Sequence, residues 1–271
     1  MISGSFSLAL KDKGLTKKVI GVSRTEASGR KALELGLVDE VLPLKDAVQQ
    51  SDLIYVAIPV DATILVMQEI MDLINDKQIV ADAGSTKFAL CSALEGHPMR
   101  KRFVATHPMW GTEYSGPEAA VRGAFAGRAC VICDKEKSAP DAVKTMEDIY
   151  LQLGMNLCYM ESASHDMHAA YVSHISHITS FALANTVLEK EKEEDAIFEL
   201  AGGGFESTVR LAKSNSAMWV PVFMQNRENV LDVLNEHISQ LRKFKACLEK
   251  ENYAYLKELI ENANKINRII K

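Results

Sequence analysis

The 271-residue sequence contains no run of about 18 consecutive apolar side chains, the length a bilayer demands of a helix, so a membrane span is excluded. It has no basic stripe. With 31 Lys and Arg against 36 Asp and Glu the formal net charge is −5, which argues against a nucleic-acid partner. No N-terminal basic–apolar–small pattern marks a secretory signal. Five cysteines are too few and odd in number for a disulfide framework, and fit reduced thiols in a cytoplasm. Internal repeats and low-complexity linkers are missing. What remains is 47% hydrophobic and 25% charged residues, the balance of a globular chain with apolar side chains enough for more than one core. The length is that of two domains.

The two halves have different periodicities. Short apolar runs occur at Lys18–Val22, Leu53–Ile58, Gln78–Ala83, Phe103–His107, Ala129–Cys133 and Asn156–Met160. Such runs suit strands buried on both faces of a parallel sheet. Helical patterns lie between them at Glu26–Leu35, Ala62–Leu73, Thr86–Leu94 and Ala139–Leu153. The alternation predicts an α/β fold over residues 1–162, a doubly wound, Rossmann-like parallel sheet. Beyond that the strand signals stop. His165–Lys190, Ala217–Glu251 and Tyr253–Ile270 read as long helices, interrupted by Gly202-Gly203-Gly204, so 163–271 is expected to be an all-α domain. Leu231, Leu234, Ile238, Leu241 and Leu248 form an apolar stripe that suits either an intramolecular core or a dimer interface. Glu189–Asp195 reads as a solvated charge run.

Ligands of an open parallel sheet bind beyond the carboxyl ends of its strands. Three polar turns fall there: Pro59, Gly84-Ser85-Thr86-Lys87, and Pro108 to Glu113 after His107. Ser3-Gly4-Ser5 before a helical Phe6–Lys11 matches the end of a glycine-rich phosphate loop, or a simple helix cap. A full loop needs an earlier strand and two earlier glycines, so the dinucleotide-binding domain is expected to be N-terminally incomplete. Ser23-Arg24 follows the next run where an NAD site usually has a carboxylate. A small residue and an arginine there suit the extra phosphate of NADP. Four histidines, His165, His168, His174 and His177, crowd one helix and raise zinc as a possibility. At about 100° per residue His174 falls opposite His165, so the four do not converge and no metal is expected. Cys130 and Cys133 point to opposite faces of a strand and read as core thiols. Arg210, after the glycine turn, is placed either to grip a carboxylate or to sit in solvent.

Taken in order, these motifs resemble the prephenate dehydrogenase family, arogenate and cyclohexadienyl dehydrogenases included. The matching residues are Asp82 to Lys87, His107 to Glu113, His165-Asp166, Ser173 to His177, Gly202 through Arg210, and Met218-Trp219. Ser176 stands where the family often has Pro, and Glu206-Ser207 where a basic–acidic pair is more usual. The resemblance implies NAD(P)-dependent oxidative decarboxylation of prephenate to 4-hydroxyphenylpyruvate, in tyrosine biosynthesis. It implies His107 and Ser85 as catalytic residues, with His107 accepting the hydroxyl proton. His177, Arg210, Thr112, Trp219 and His174 would surround the substrate, and Ser3, Gly4, Ser23, Arg24, Pro59 and Gly84 the cofactor. The change of periodicity and the apolar stripe lead us to expect a homodimer through the helical C-terminal domain, and as a departure from the family no C-terminal regulatory domain is expected after the helices. L-arogenate is the rival substrate. A non-catalytic dimeric homologue is the rival of another class, supported only by the incomplete phosphate loop.

Overall fold

A computed structural model of the chain describes residues 1–112, 114–192 and 198–268. Glu113, the end of the Glu189–Asp195 charge run and the last residues of the expected Tyr253–Ile270 helix lie outside the described residues. The chain divides into two compact units, Met1–Asn226 and Arg227–Lys271.

The first unit is built on a five-stranded sheet in the order β3 (Leu53–Val56), β4 (Ile79–Asp82), β5 (Phe103–Pro108), β6 (Ala129–Cys133), β7 (Asn156–Met160). Side chains alternate between its two faces. Ala81, Val104 and Ile132 face one side, where Phe6 of α1 (Ile2–Asp12) and Tyr150 of α6 (Pro140–Gln152) cover them. Val80, Phe103, Ala105 and Cys133 face the other, under Met67 and Ile70 of α4 (Val60–Leu73) and Leu90 and Leu94 of α5 (Phe88–Leu94). Cys130 and Cys133 fall in these two separate cores, as strand alternation requires.

One neighbouring pair departs from an all-parallel sheet: β6 runs antiparallel to β5, while β3–β4, β4–β5 and β6–β7 are parallel. Parallel neighbours need a crossover, usually a helix, and α6 supplies one between β6 and β7. Among the described residues between β5 and β6 there is a loop with one 3₁₀ turn, Pro117–Ala119, so the chain can return beside β5 in the opposite sense. The expected strand over Lys18–Val22 shrinks to β1 (Ile20–Gly21). It pairs with β2 (Glu40–Val41) in a separate two-stranded sheet. β2 and α3 (Leu44–Gln49) carry no apolar period long enough to read in advance. α2 (Glu26–Glu34) is capped by Thr25, whose hydroxyl accepts the Ser28 N–H. Ser3 and Ser5 do not cap α1. Both lie inside its first turns, with Met1 at the cap position.

After β7 come α7 (Ser162–Ala169) and α8 (Ile175–Glu191), joined without a break by a π turn, Ala170–His174. Next are α9 (Gly203–Val209) and α10 (Ser216–Gln225), which ends at Asn226. The second unit holds α11 (Arg227–Glu249) packed on α12 (Tyr253–Ala263). In its stripe Leu231, Ile238, Leu241 and Leu248 are exposed.

The site is positioned by one buried ion pair. Lys87 and Asp82 are both fully buried. The Lys87 ammonium donates to Asp82 Oδ2 and to the Thr106 carbonyl of β5 at 2.9 Å. Asp82 also accepts the Gly84 N–H at 2.9 Å and the Thr106 N–H at 3.2 Å. A Cβ on Gly84 would sit 2.9 Å from that carboxylate, so only glycine fits the turn. Removing one partner strands the other charge in the interior. Lys87→Met is therefore expected to destabilise the fold by about 3–5 kcal/mol. The double variant Lys87→Met/Asp82→Asn should recover part of this loss, measured by urea denaturation.

Candidate active site

His107 is the next-to-last residue of β5, at the carboxyl end of the strand, and is buried. Its Nδ1 lies 2.8 Å from His165 Nε2, and the two rings meet edge to face. His165 Nδ1 lies 2.8 Å from Asp166 Oδ1. Asp166 in turn accepts the backbone N–H of Lys87 at 2.7 Å and of Phe88 at 3.0 Å, at the start of α5. A helix start offers unpaired N–H groups and favours negative charge, which explains why a carboxylate is buried there.

His174 and His177 follow on the same helical run. In an unbroken α-helix His174 would be half a turn out of phase with His165. The π turn adds one residue and brings the two to within about 80° of each other. The expected opposition of these histidines is thereby corrected. His174 is buried, and Asn226 Nδ2 lies 3.2 Å from its Nδ1 and donates to the Asp166 carbonyl at 2.7 Å. An amide nitrogen only donates, so the His174 ring proton sits on Nε2. That nitrogen has no partner among the described residues, nor has the buried Trp219 Nε1. His177 is partly buried. It donates through Nδ1 to the Ser173 carbonyl at 3.1 Å and stacks on Trp219 with ring centroids 3.4 Å apart. The exposed Arg210, just after α9, lies close enough for its cation to help hold the His177 pKa down. Among the described residues no group of three or more His, Cys, Asp or Glu could hold a metal ion. His168 is instead turned to the Ser164 carbonyl.

The other expected residues lie on several elements of the first unit. Ser85 is half-buried in the turn between Gly84 and Thr86, and Thr86 Oγ1 donates to Gln225 of α10 at 2.8 Å. Pro59 is exposed at the cap of α4, and Gln225 donates to the next carbonyl, that of Val60, at 2.6 Å. The Thr112 hydroxyl lies 3.3 Å from Met1 Sδ. That contact places the start of α1, with Ser3 exposed and Gly4 packed on Leu37 and Ala120, beside the loop that leaves β5. Ser23 and Arg24 are exposed after β1, with the Ser23 hydroxyl bonded to the Thr25 carbonyl. Sequence reasoning gave no role to Lys87, Asn226, His165 or Asp166. His165-Asp166 and Lys87 were visible as parts of motifs, whereas Asn226 had no local signal.

Burial favours the neutral form of His107, His174 and His177. Desolvation, then the neighbouring His165, Lys87 and His174, pushes the His107 pKa well below its ordinary value. Desolvation brings His174 down to about 4, against a partial pull upward from Asp166. Desolvation also lowers His177, before the opposing pull of the Ser173 carbonyl.

Comparison with known proteins gives one family. The nucleotide-binding domain of prephenate dehydrogenase matches residues 6–159, and its dimerization domain matches residues 161–262. Prephenate dehydrogenase of Bacillus subtilis is 28% identical over 255 residues, 93% of this chain and 69% of that protein. Cyclohexadienyl dehydrogenase of Zymomonas mobilis is 26% identical over 243 residues, 89% of this chain and 83% of that protein. The crystal structure of Aquifex aeolicus prephenate dehydrogenase with hydroxyphenyl propionate and NAD+ superposes with a TM-score of 0.90 at 28% identity. It covers 99% of this chain and 94% of that one.

A histidine neutral in the fold and titrating near 6.5 when unfolded leaves the unfolded state with more bound protons between the two pKa values. Stability therefore falls as pH drops from about 6.5 toward 4. Urea midpoints at about pH 7.5 and about pH 5 should show this fall, and His174→Gln should make it shallower. An unchanged slope in His174→Gln would contradict the assignment of a buried, neutral His174.

Proposed function

The chain belongs to the prephenate dehydrogenase family and is an oxidoreductase, and from that premise we propose how its residues carry out oxidative decarboxylation of prephenate to 4-hydroxyphenylpyruvate. The observation that carries the reading is a buried, neutral His107 at the ligand edge of the sheet. When bound, the nicotinamide supplies the hydride acceptor. His107 takes the proton of the 4-hydroxyl as its carbon becomes carbonyl-like, and the ring carboxylate leaves as carbon dioxide while the ring becomes aromatic. A base whose pKa is lowered stays unprotonated, and so competent, well into mildly acidic solution. Ser85 orients the same hydroxyl.

Substrate carboxylates fall to Arg210 and to the N–H donors that the protein leaves unmet. His174 Nε2 and Trp219 Nε1 are buried without partners, a condition proteins rarely tolerate unless a ligand or water completes it. His177 positions the substrate beside them, and Thr112 serves from the loop after β5. We assign residues 1–162 to cofactor binding and 163–271 to substrate binding and dimerisation. The exposed Leu231, Ile238, Leu241 and Leu248 support a homodimer built on the second unit. The reduced thiols expected of the five cysteines support a cytoplasmic protein. L-arogenate remains the second substrate to assay, since the Zymomonas mobilis relative is a cyclohexadienyl dehydrogenase.

His107→Asn is expected to lower kcat by roughly 10²–10⁴. Arg210→Ala should instead raise KM about 10- to 100-fold, from the loss of a charge-assisted bond of about 1.5–3 kcal/mol. Steady-state kinetics with prephenate checks both. Near-normal kcat in His107→Asn would remove His107 from the chemistry.

The residues present fit a nucleotide with phosphates. The first helical hydrogen bond of α1 is that of Ser5 to Met1, so the N–H groups of Ile2, Ser3 and Gly4 precede it. No acidic side chain lies in that first turn. Such a start attracts an anion. Pro59 and Gly84 line the same edge at the ends of β3 and β4. Ser23 and Arg24 bring a hydroxyl and a guanidinium and no carboxylate, which supports NADP over NAD. The kcat/KM for NADP should then exceed that for NAD, and Arg24→Ala should reduce or reverse the difference. A preference for NAD that Arg24→Ala leaves unchanged would overturn this choice.

A further inference from the structure

A neutral imidazole accepts a proton on only one of its nitrogens, and which one is set by what the other nitrogen bonds. His107 Nδ1 is occupied, 2.8 Å from His165 Nε2. We propose that Asp166 and His165 are positioning residues that fix His107 with its proton on Nδ1 and its lone pair on Nε2.

Asp166 Oδ1 accepts the Lys87 N–H, Oδ2 accepts the Phe88 N–H, and Oδ1 also meets His165 Nδ1 at 2.8 Å. A carboxylate offers only lone pairs, so the hydrogen shared with His165 sits on Nδ1. When the His165 ring carries a single proton, on Nδ1, the opposite nitrogen, Nε2, has only a lone pair. The hydrogen between His165 and His107 therefore belongs to His107 Nδ1, and His107 Nε2 is left bare. Both positioning side chains are buried, so water does not scramble these assignments.

The same chain of groups answers the charge that catalysis creates. When His107 Nε2 takes the substrate proton, the ring becomes a buried cation. Lys87 and His174 also stand against it, both making that cation less favourable. Asp82 is already paired with Lys87. Asp166 is then the carboxylate that faces the new charge, acting through His165 along two hydrogen bonds. His165 and Asp166 touch neither substrate nor cofactor in this scheme and act only through His107.

This inference rests on the assignment of His107 as the base, and the experiment separates the two. In Asp166→Asn the side-chain carbonyl can keep the Phe88 N–H with the amide NH₂ at the Oδ1 position, which gives up the Lys87 N–H. Its NH₂ then faces His165 Nδ1, which must become the acceptor. His165 then donates from Nε2, and His107 is switched to the tautomer with its proton on Nε2. Long-range ¹H–¹⁵N spectra of histidine-labelled protein, assigned with His107→Asn, read the tautomer directly and without substrate. The wild type should show the unprotonated ¹⁵N signal at His107 Nε2, and Asp166→Asn should show it at Nδ1. In the same variant kcat should fall by about 10²–10⁴ with little change in KM.

Should Asp166→Asn fail to fold, His165→Gln and His165→Met give the second reading. Gln offers an oxygen to His107 Nδ1–H and should retain the wild-type tautomer and most of kcat. Met fills similar space without that acceptor and should lose both. A bare Nδ1 on His107 in the wild type, or equal kcat in the Gln and Met variants, would overturn the inference. If His107→Asn is inactive while His165→Met changes neither tautomer nor kcat, this inference falls and the base assignment stands. If His107→Asn keeps its kcat, the base assignment itself falls.

Discussion

Everything at this site depends on the burial of Lys87. Its ammonium is held between the Asp82 carboxylate at the end of β4 and the Thr106 carbonyl of β5, and its backbone N–H holds Asp166 of α7. A single residue thus ties two strands and a helix together at the carboxyl edge of the sheet. A buried charge is tolerated only when its partners are close and complete. The geometry around Lys87 therefore has little freedom, and His107, one residue beyond Thr106, inherits that rigidity. The polar chain continues inward: Thr106 Oγ1 lies 2.7 Å from the Tyr150 hydroxyl, which reaches that of Tyr55 at 3.4 Å. Desolvation keeps both phenols protonated far above any working pH.

The histidine-rich helix gains its meaning from the π turn. Each ring is given a different partner: His165 the Asp166 carboxylate, His174 the Asn226 amide, His177 the Ser173 carbonyl and the Trp219 face. Rings that are separately engaged in this way are not free to converge on one ion. Low-dielectric surroundings keep His174 and His177 neutral, which suits rings that must accept or donate single protons. Asn226 is central to this arrangement. It caps the end of α10, and its amide spans the Asp166 carbonyl and His174.

The amino-acid sequence by itself determined the alternation of strand and helix, because apolar runs and 3.6-residue periods are local properties. It also determined that His107, Gly84 and Pro59 end up at strand ends, and that Cys130 and Cys133 part to opposite faces, because side-chain direction follows from the strand repeat. Family motifs marked His165-Asp166 and Arg210 without saying what each touches. Tertiary structure alone decided that β6 runs antiparallel to β5, since no residue of β6 encodes the direction of its neighbour. It alone placed the π turn that turns His174 toward His165, because an extra residue in a helical turn is stabilised by packing and not by local propensity. It alone recruited Asn226, 60 residues from Asp166, and joined Asp166, His165 and His107 into one line of hydrogen bonds. Those contacts span the chain, and a hydrogen bond between distant residues leaves no period in the sequence to be read.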